Sequence, residues 1–249
     1  METLITQQSW AGGVSLSAGI GLFYGTSGDN KPHKHWAHQL VVGLDANLDI
    51  IVDGIRHKGD GLWIPAGLSH QLGHGKVVSL YIDPTHLLCP TLRASSSLAS
   101  DKSVILVHPS IAARLTSCVY QADNLQSALD AFQAHYQQSE KIEINDRLLR
   151  VLSRLKQDVI DGSNSPLNDL AGLVCLSPSR FSHWFKEQTG LPLRSYKKWL
   201  KLIVCFELSR QMPLAVAAVS AGFSDQAHFC RTVTQAFGVS SRTIMRLLT

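Results

Sequence analysis

Two short segments near the amino terminus concentrate imidazole and amide groups. His33, His35 and Gln39 lie in one, and His70 follows a Pro65-Ala66-Gly67 turn in the other. Alternate residues of an extended chain share a face, so His33 and His35 point the same way. A loop after Ile64 then brings His70 beside them. Such a group can line a ligand pocket or tie its wall by hydrogen bonds. Several imidazoles and an amide suit an anion, an aromatic or a metal complex. Trp36 and Trp63 read as packing residues that can floor the pocket, and His38, His57 and His74 as loop-exposed.

A second set of chemistry-bearing residues lies in the last ninety. Phe181, Trp184 and Phe185 recur at i, i+3 and i+4, which turns Ser179, Arg180, Ser182, His183 and Lys186 outward. Phe229, Val233 and Phe237 do the same for Gln226, His228, Arg231 and Gln235. The Arg231 fork can bond guanine O6 and N7 together, or else clamp a phosphate or an acidic neighbour. Arg180, Lys186, Lys197 and Lys198 read as phosphate contacts or solvated charges. His183 and His228 can donate to bases or phosphates, with surface exposure as the plain alternative.

These groups need elements to hold them. The chain has 249 residues, 45% apolar and 17% charged, a globular composition that allows one large domain or two ordinary ones. The net charge of +4 hides an asymmetry. Residues 1–146 hold nine Lys and Arg against thirteen Asp and Glu, and residues 147–249 hold fourteen against six. An acidic front and a basic back imply different partners, with a polyanion for the back. No apolar run is long enough for a membrane span, and METLITQQSWAGG lacks the basic start and apolar core of a signal peptide. Cys89, Cys118, Cys175, Cys205 and Cys230 are scattered without a CxxC. That argues against disulfides or a cysteine zinc site and fits reduced thiols in a cytoplasm.

Residues 1–90 read as short strands over 20–24, 39–44, 48–52, 61–64 and 77–82, with turns at Gly28-Asp29, Asp53-Gly54 and Asp60-Gly61. This spacing predicts a small antiparallel barrel or jelly roll. Residues 91–162 read as a Ser-rich loop over 92–102, then helices over 109–122, from an Asn124 cap to about 136, and from an Asp146 cap to about 160. Leu148, Leu149, Leu152, Leu155 and Val159 form an apolar stripe on the last. These helices pack on the barrel by default, with a homodimer seam as the sharper alternative. A hinge at 161–166 leads into residues 163–249. There, a short helix from Leu167 and one capped by Ser177 with Pro178 at its first position make one helix-turn-helix. A short helix closed by Gly222 and one capped by Ser224 or Asp225 make the second. The helix between them, 192–210, spans about 28 Å. One duplex turn is about 34 Å, so both outward helices can face one side of DNA.

At these residues the segment 167–245 resembles the arabinose-regulator (AraC/XylS) family of bacterial transcription factors. The matching stretches are LNDLAGLVCLSPSRFSHWFKEQTGLPLRSY (167–196) and AVAAVSAGFSDQAHFCRTVTQAFGVSS (215–241). Ala221, Gly222, Phe223, Ser224, Asp225, Phe229, Arg231, Phe237 and Gly238 stand at the family's recurring positions. Departures are Lys201 for Arg, Cys205 for a small residue, Thr234 for Lys and Ser241 for Pro, which imply a weaker phosphate grip by the second unit. The resemblance implies base contacts from Ser179, Ser182 and His183, and from Gln226, His228 and Arg231. The histidine segments are similar to the two motifs of the cupin superfamily of small barrels, in which His, His, Glu and His bind a divalent metal. Gln39 replaces the Glu, which removes a charge and any acid-base carboxylate. The usual Gly is absent around Ala46-Asn47.

The expectation is an α+β chain of two domains. Residues 1–90 form a cupin-like, antiparallel effector-binding β-barrel, 91–162 linker or dimerisation helices, and 163–249 an all-α tandem helix-turn-helix. The expected function is a cytoplasmic, non-enzymatic, sequence-specific activator or repressor. Its partners are double-stranded operator DNA, RNA polymerase, a small effector held by His33, His35, Gln39 and His70, and a second copy of the chain; a membrane is not among them. A divalent metal on His33, His35 and His70 is the alternative occupant, with no other cofactor. The competing readings are a cupin-type metal-dependent enzyme fused to a DNA-binding module, and an architectural DNA binder without a sensor.

Overall fold

Apolar side chains alternate through the first eighty residues. The computed structural model, which describes residues 8–17, 19–94, 104–137 and 145–248, pairs these stretches into two antiparallel sheets. The larger runs in the order β1 (Ala11–Ser17), β2 (Ile20–Ser27), β8 (Gly75–Ile82), β3 (His38–Gly43), β6 (Gly61–Ile64) and β9 (Ile105–Leu106). The smaller is β5 (Ile55–Gly59), β4 (Leu48–Val52) and β7 (His70–Leu72). Asp53 and Gly54, at φ of 46° and 82°, form the two-residue turn between β4 and β5. Positive φ at both positions matches the twist of the flanking strands.

The period of two divides the larger sheet cleanly. Leu22, Leu40, Trp63 and Leu80 face one way, beneath Ile111 and Leu115 of α2 (Pro109–Gln121) and Leu129 and Phe132 of α3 (Leu125–Gln137). Phe23, Val41, Leu62, Ile64 and Val77 face the other way, against Ile50, Val52 and Leu72 of the smaller sheet. Burial on both faces makes β3 an unbroken apolar run after its first two residues. Among the described residues the two sheets keep separate ladders, so the strands do not close into a barrel.

The elements that composition did not reveal are β1, β5, β7 and β9. β1 is rich in Gly and Ser, β5 is mostly polar and solvent-facing, and the other two have three and two residues. Their pairing comes from neighbours rather than from local pattern. The stretch from residue 92, expected as a loop, instead begins inside α1 (Leu88–Ala94). The remainder of that stretch lies outside the described residues.

α4 (Asp146–Ile160) departs from expectation in two details. Its cap is Asn145, not Asp146; the Asn145 side chain accepts from the N–H groups of Arg147 and Leu148 at 3.1 and 3.3 Å. Its stripe is also rotated. Val151, Leu155 and Val159 are buried while Leu149 is 43% exposed, because one stripe cannot hold both 148 and 149.

The chain forms two compact units, residues 1–140 together with 234–249, and residues 141–233. In the second, α4 packs on α7 (Leu193–Leu208). The rest of this unit is α5 (Leu167–Gly172), α6 (Pro178–Thr189), α8 (Leu214–Ser220) and most of α9 (Gln226–Phe237). The last turn of α9 and α10 (Ser241–Leu247) belong to the first unit, where Leu247 enters the core between the sheets. No described helix is long and apolar enough to cross a membrane.

Candidate functional site

The helix-turn-helix elements begin with their caps. Ser177 accepts from the Arg180 N–H and Pro178 opens α6, while Gly190 closes it at φ 70°. Asp225 rather than Ser224 takes the capping bond of α9, accepting from the His228 N–H at 2.6 Å. An acid at this position meets the positive end of the helix dipole. Bonding to the His228 N–H, opposed by burial and aided by Arg231, holds the Asp225 carboxyl below its ordinary range. Phe181 and Phe185 are buried, and Phe229 sits between Phe206 and Phe223.

This packing leaves Ser179, Arg180, Ser182, His183 and Lys186 exposed on α6, and Gln226, His228 and Arg231 exposed on α9. Two of these are already engaged. The Ser182 hydroxyl donates to the Pro178 carbonyl at 3.0 Å, and His228 Nδ1 lies 3.1 Å from Ser224 Oγ. Two cations of α7 also make hydrogen bonds within the protein. Lys197 Nζ donates to Asn164 Oδ1 and the Ser165 carbonyl, tying the hinge, and Lys201 Nζ donates to the Gly222 carbonyl.

The imidazoles do converge, though not from a strand. Pro32 interrupts the ladder, and His33 instead makes an isolated antiparallel bridge to His70, at the start of β7. Each N–H of the pair donates to the other's carbonyl, at 2.9 and 2.8 Å. The Gly67 N–H donates to the His35 carbonyl and ties the second turn. Gln39 lies on β3 opposite Tyr81 and Ile64, on the face turned toward the smaller sheet. His35, Gln39 and His70 are no more than 2% exposed, and the three His ligand atoms lie within 4.8 Å of one another.

Hydrogen bonds decide which nitrogen of each ring is available. His33 Nδ1 donates to the Lys31 carbonyl at 2.8 Å, His35 Nδ1 to Ala37 at 2.7 Å and His70 Nδ1 to Leu68 at 3.0 Å. A carbonyl can only accept, so all three Nδ1 atoms carry protons, and in the neutral rings of His33 and His70 Nε2 presents the lone pair. His35 Nε2 lies 3.2 Å from Gln39 Oε1, and the Gln39 amide nitrogen donates to Ser79 Oγ at 3.3 Å and to Tyr81 Oη at 3.4 Å. Among the described residues, His70 Nε2 is the buried side-chain atom with no hydrogen-bond partner.

Burial, the largest cause throughout, lowers the proton affinity of these rings: His33 below its ordinary value, His35 to about 4 and His70 to about 2. Mutual repulsion adds to the shift in His35 and His70. Burial raises Tyr81, so it too stays neutral. No carboxylate joins the three imidazoles among the described residues.

Three further placements were not legible in the sequence. Tyr81 and Ser79 reach the cluster only through strand register. His38, expected exposed, is half-buried against Trp63, accepts from the Ala66 N–H, and is lowered to about 4 by burial and Arg93. Phe237 lies with its ring centre 6.1 Å from those of His35 and Tyr81.

Comparison with known proteins bears on both sites. A helix-turn-helix domain family matches residues 170–246. The arabinose operon regulatory protein of Escherichia coli is 32% identical over 97 residues, which cover 38% of this chain and 33% of that protein. Residues 170–246 are thus a helix-turn-helix domain, similar in sequence to the arabinose operon regulatory protein. The chain matches about a third of the length of this curated relative. In fold, apo ToxT from Vibrio cholerae is similar over 94% of this chain and 99% of its own, with a TM-score of 0.63 and 12% identity. ToxT bound to an unsaturated fatty acid aligns over 100% of this chain and 98% of its own, with a TM-score of 0.57 and 12% identity. The whole chain therefore shares a sheet-rich plus helical architecture with that protein.

Proposed function

We propose that the chain is a one-component transcriptional regulator. The helical part binds double-stranded operator DNA, and the His-lined site of the sheet-rich unit binds an effector that changes that binding. The observation that carries this reading is the pair of capped helices α6 and α9. Each is the second helix of a helix-turn-helix, within the segment matching that family. Arg180 and Lys186 contact phosphates, while Ser179, Ser182, His183, Gln226, His228 and Arg231 face bases. α7, of 16 residues, is about 24 Å long and separates the two units by less than one duplex turn.

On this reading residues 1–90 are a cupin-like sensor, 91–162 connect it, and 163–249 read DNA in the cytoplasm. RNA polymerase and a second copy are the protein partners. The effector contacts His33, His35, Gln39 and His70. A divalent transition metal fits: the ligand atoms of three neutral imidazoles lie within 4.8 Å of one another, each Nδ1–H is anchored on a carbonyl, and the buried His70 Nε2 lacks a partner. Such an ion would hold the three rings together and lock both turns. Gln39 in place of a carboxylate argues for sensing over catalysis.

The test is a mobility-shift titration on DNA upstream of the chain's own gene, with and without divalent metals. The expected result is a sequence-specific shift that metal changes and His70→Ala makes insensitive to metal. Absence of any specific shift under all conditions would overturn the reading.

A further inference from the structure

The first unit contains a contact that links its effector site to the carboxy-terminal end of the chain. The Lys31 N–H donates to the Gly238 carbonyl at 2.9 Å, and the Lys31 carbonyl accepts from His33 Nδ1 at 2.8 Å. One residue, Lys31, thus joins Gly238 to the ring that completes the cluster. Gly238 is needed twice over. It ends α9 at φ 69°, its N–H donating to the Thr234 carbonyl. A Cβ there would fall 2.6 Å from His33 Nδ1 and closer still to the Lys31 carbonyl. Phe237 adds its ring beside His35 and Tyr81. The segment is anchored further along by Leu247 in the core between the sheets, by a bridge from Leu248 to Val14, and by Arg246 donating to the Trp10 carbonyl at 2.7 Å.

We infer that residues 237–248 are the closing wall and the readout of the histidine site, so that metal occupancy and docking of this segment stabilise each other. The inference rests on the metal reading given above. The mechanism is positional. With Gly238 docked, the Lys31 peptide is held, His33 keeps its Nδ1–H on the Lys31 carbonyl, and its Nε2 faces His35 and His70. With the segment released, His33 loses that constraint and the site loses one oriented donor. Coupling is reciprocal, so an ion that needs the oriented ring also holds the segment down. Gln226, His228 and Arg231 lie on the earlier turns of the same helix, α9.

The experiment uses the full chain and zinc ion as probe, with two readouts: zinc affinity by titration calorimetry, and amide hydrogen exchange of residues 239–247 with and without zinc. Zinc is expected to slow exchange of those amides. Gly238→Ala is expected to weaken zinc binding about 10- to 100-fold, the range found when a ligand's supporting contact is removed. Gly238 also caps α9, so Leu247→Ala serves as a second variant that loosens the segment far from the imidazoles; it is expected to weaken zinc in the same direction. Circular dichroism checks that both variants stay folded. If both variants exchange faster in 239–247 yet bind zinc like the wild type, the coupling is overturned. If the wild type binds no zinc at all, the metal reading fails and the coupling falls with it. If zinc binds tightly but leaves exchange of 239–247 unchanged, the metal reading stands and the coupling is refuted.

Discussion

Arg231 and the buried histidines illustrate opposite uses of charge. Arg231 is exposed on α9, with a fork that suits guanine O6 and N7. Arg231→Ala should weaken specific DNA binding by about 1–3 kcal/mol and relax preference at one base position. Binding to a set of single-base operator variants checks this, and an equal loss on every sequence would make Arg231 a phosphate contact. The histidines work by staying neutral. His35 and His38 are held at about 4 and His70 at about 2, chiefly by burial, against 6.5 for a free ring. Between these values the unfolded chain binds protons that the folded chain refuses. Their contribution to stability is therefore full above pH 6.5 and is lost as pH falls toward 4. For His35 alone the loss is on the order of 3 kcal/mol by pH 4. Thermal unfolding of metal-free protein from pH 7.5 down to 4.5 should show the midpoint falling, and His35→Gln should flatten the slope.

Among the elements, the hinge after α4 owes its conformation to one carboxylate. Asp158, 4% exposed, accepts from Ser165 N–H and Oγ at 2.8 Å each and from Ser163 Oγ at 3.1 Å, and pairs with Arg154 at 3.0 Å. Burial alone would raise its pKa, but bonding to Ser165 and Ser163 and the Arg154 charge outweigh this and lower it. Lys197 holds the same hinge from α7. Asp158→Ala leaves the buried Ser165 N–H without its acceptor and should cost about 2–3 kcal/mol. Proteolysis should also speed up within residues 161–166, and unchanged cleavage would place the hinge's order elsewhere. The caps of these helices were readable from local chemistry: Ser177-Pro178 and Gly190 behave as their types dictate. The α4 cap and stripe slipped by one residue because Asn145 and Asp146 are both good caps, and Leu148 and Leu149 are both apolar. Packing chose between them.

At the scale of the whole molecule, the carboxy terminus does not stay with the helices that precede it in sequence. Leu247 is 3% exposed among Phe23, Ile50, Ile64 and Leu72. Leu247→Ala should therefore destabilise the sheet-rich unit by about 2–5 kcal/mol. Near-ultraviolet circular dichroism from the sheet aromatics, followed through thermal unfolding, measures this. Loss confined to signals from α5–α8 would contradict the placement.

By itself the sequence determined the helix-turn-helix units, the strands 48–52 and 61–64, and the identity of the four groups in the histidine site. Caps, turns and apolar periods act over a few residues, and so they leave a local signal. Only the tertiary structure decided the rest. It brought the three imidazoles together, set Tyr81 beside Gln39, set Lys197 on the hinge, and placed Gly238 against Lys31. Apart from His33 and His35, these contacts join residues between 32 and 207 positions apart. Such pairings are selected by burial and close approach, which no local pattern along the chain encodes.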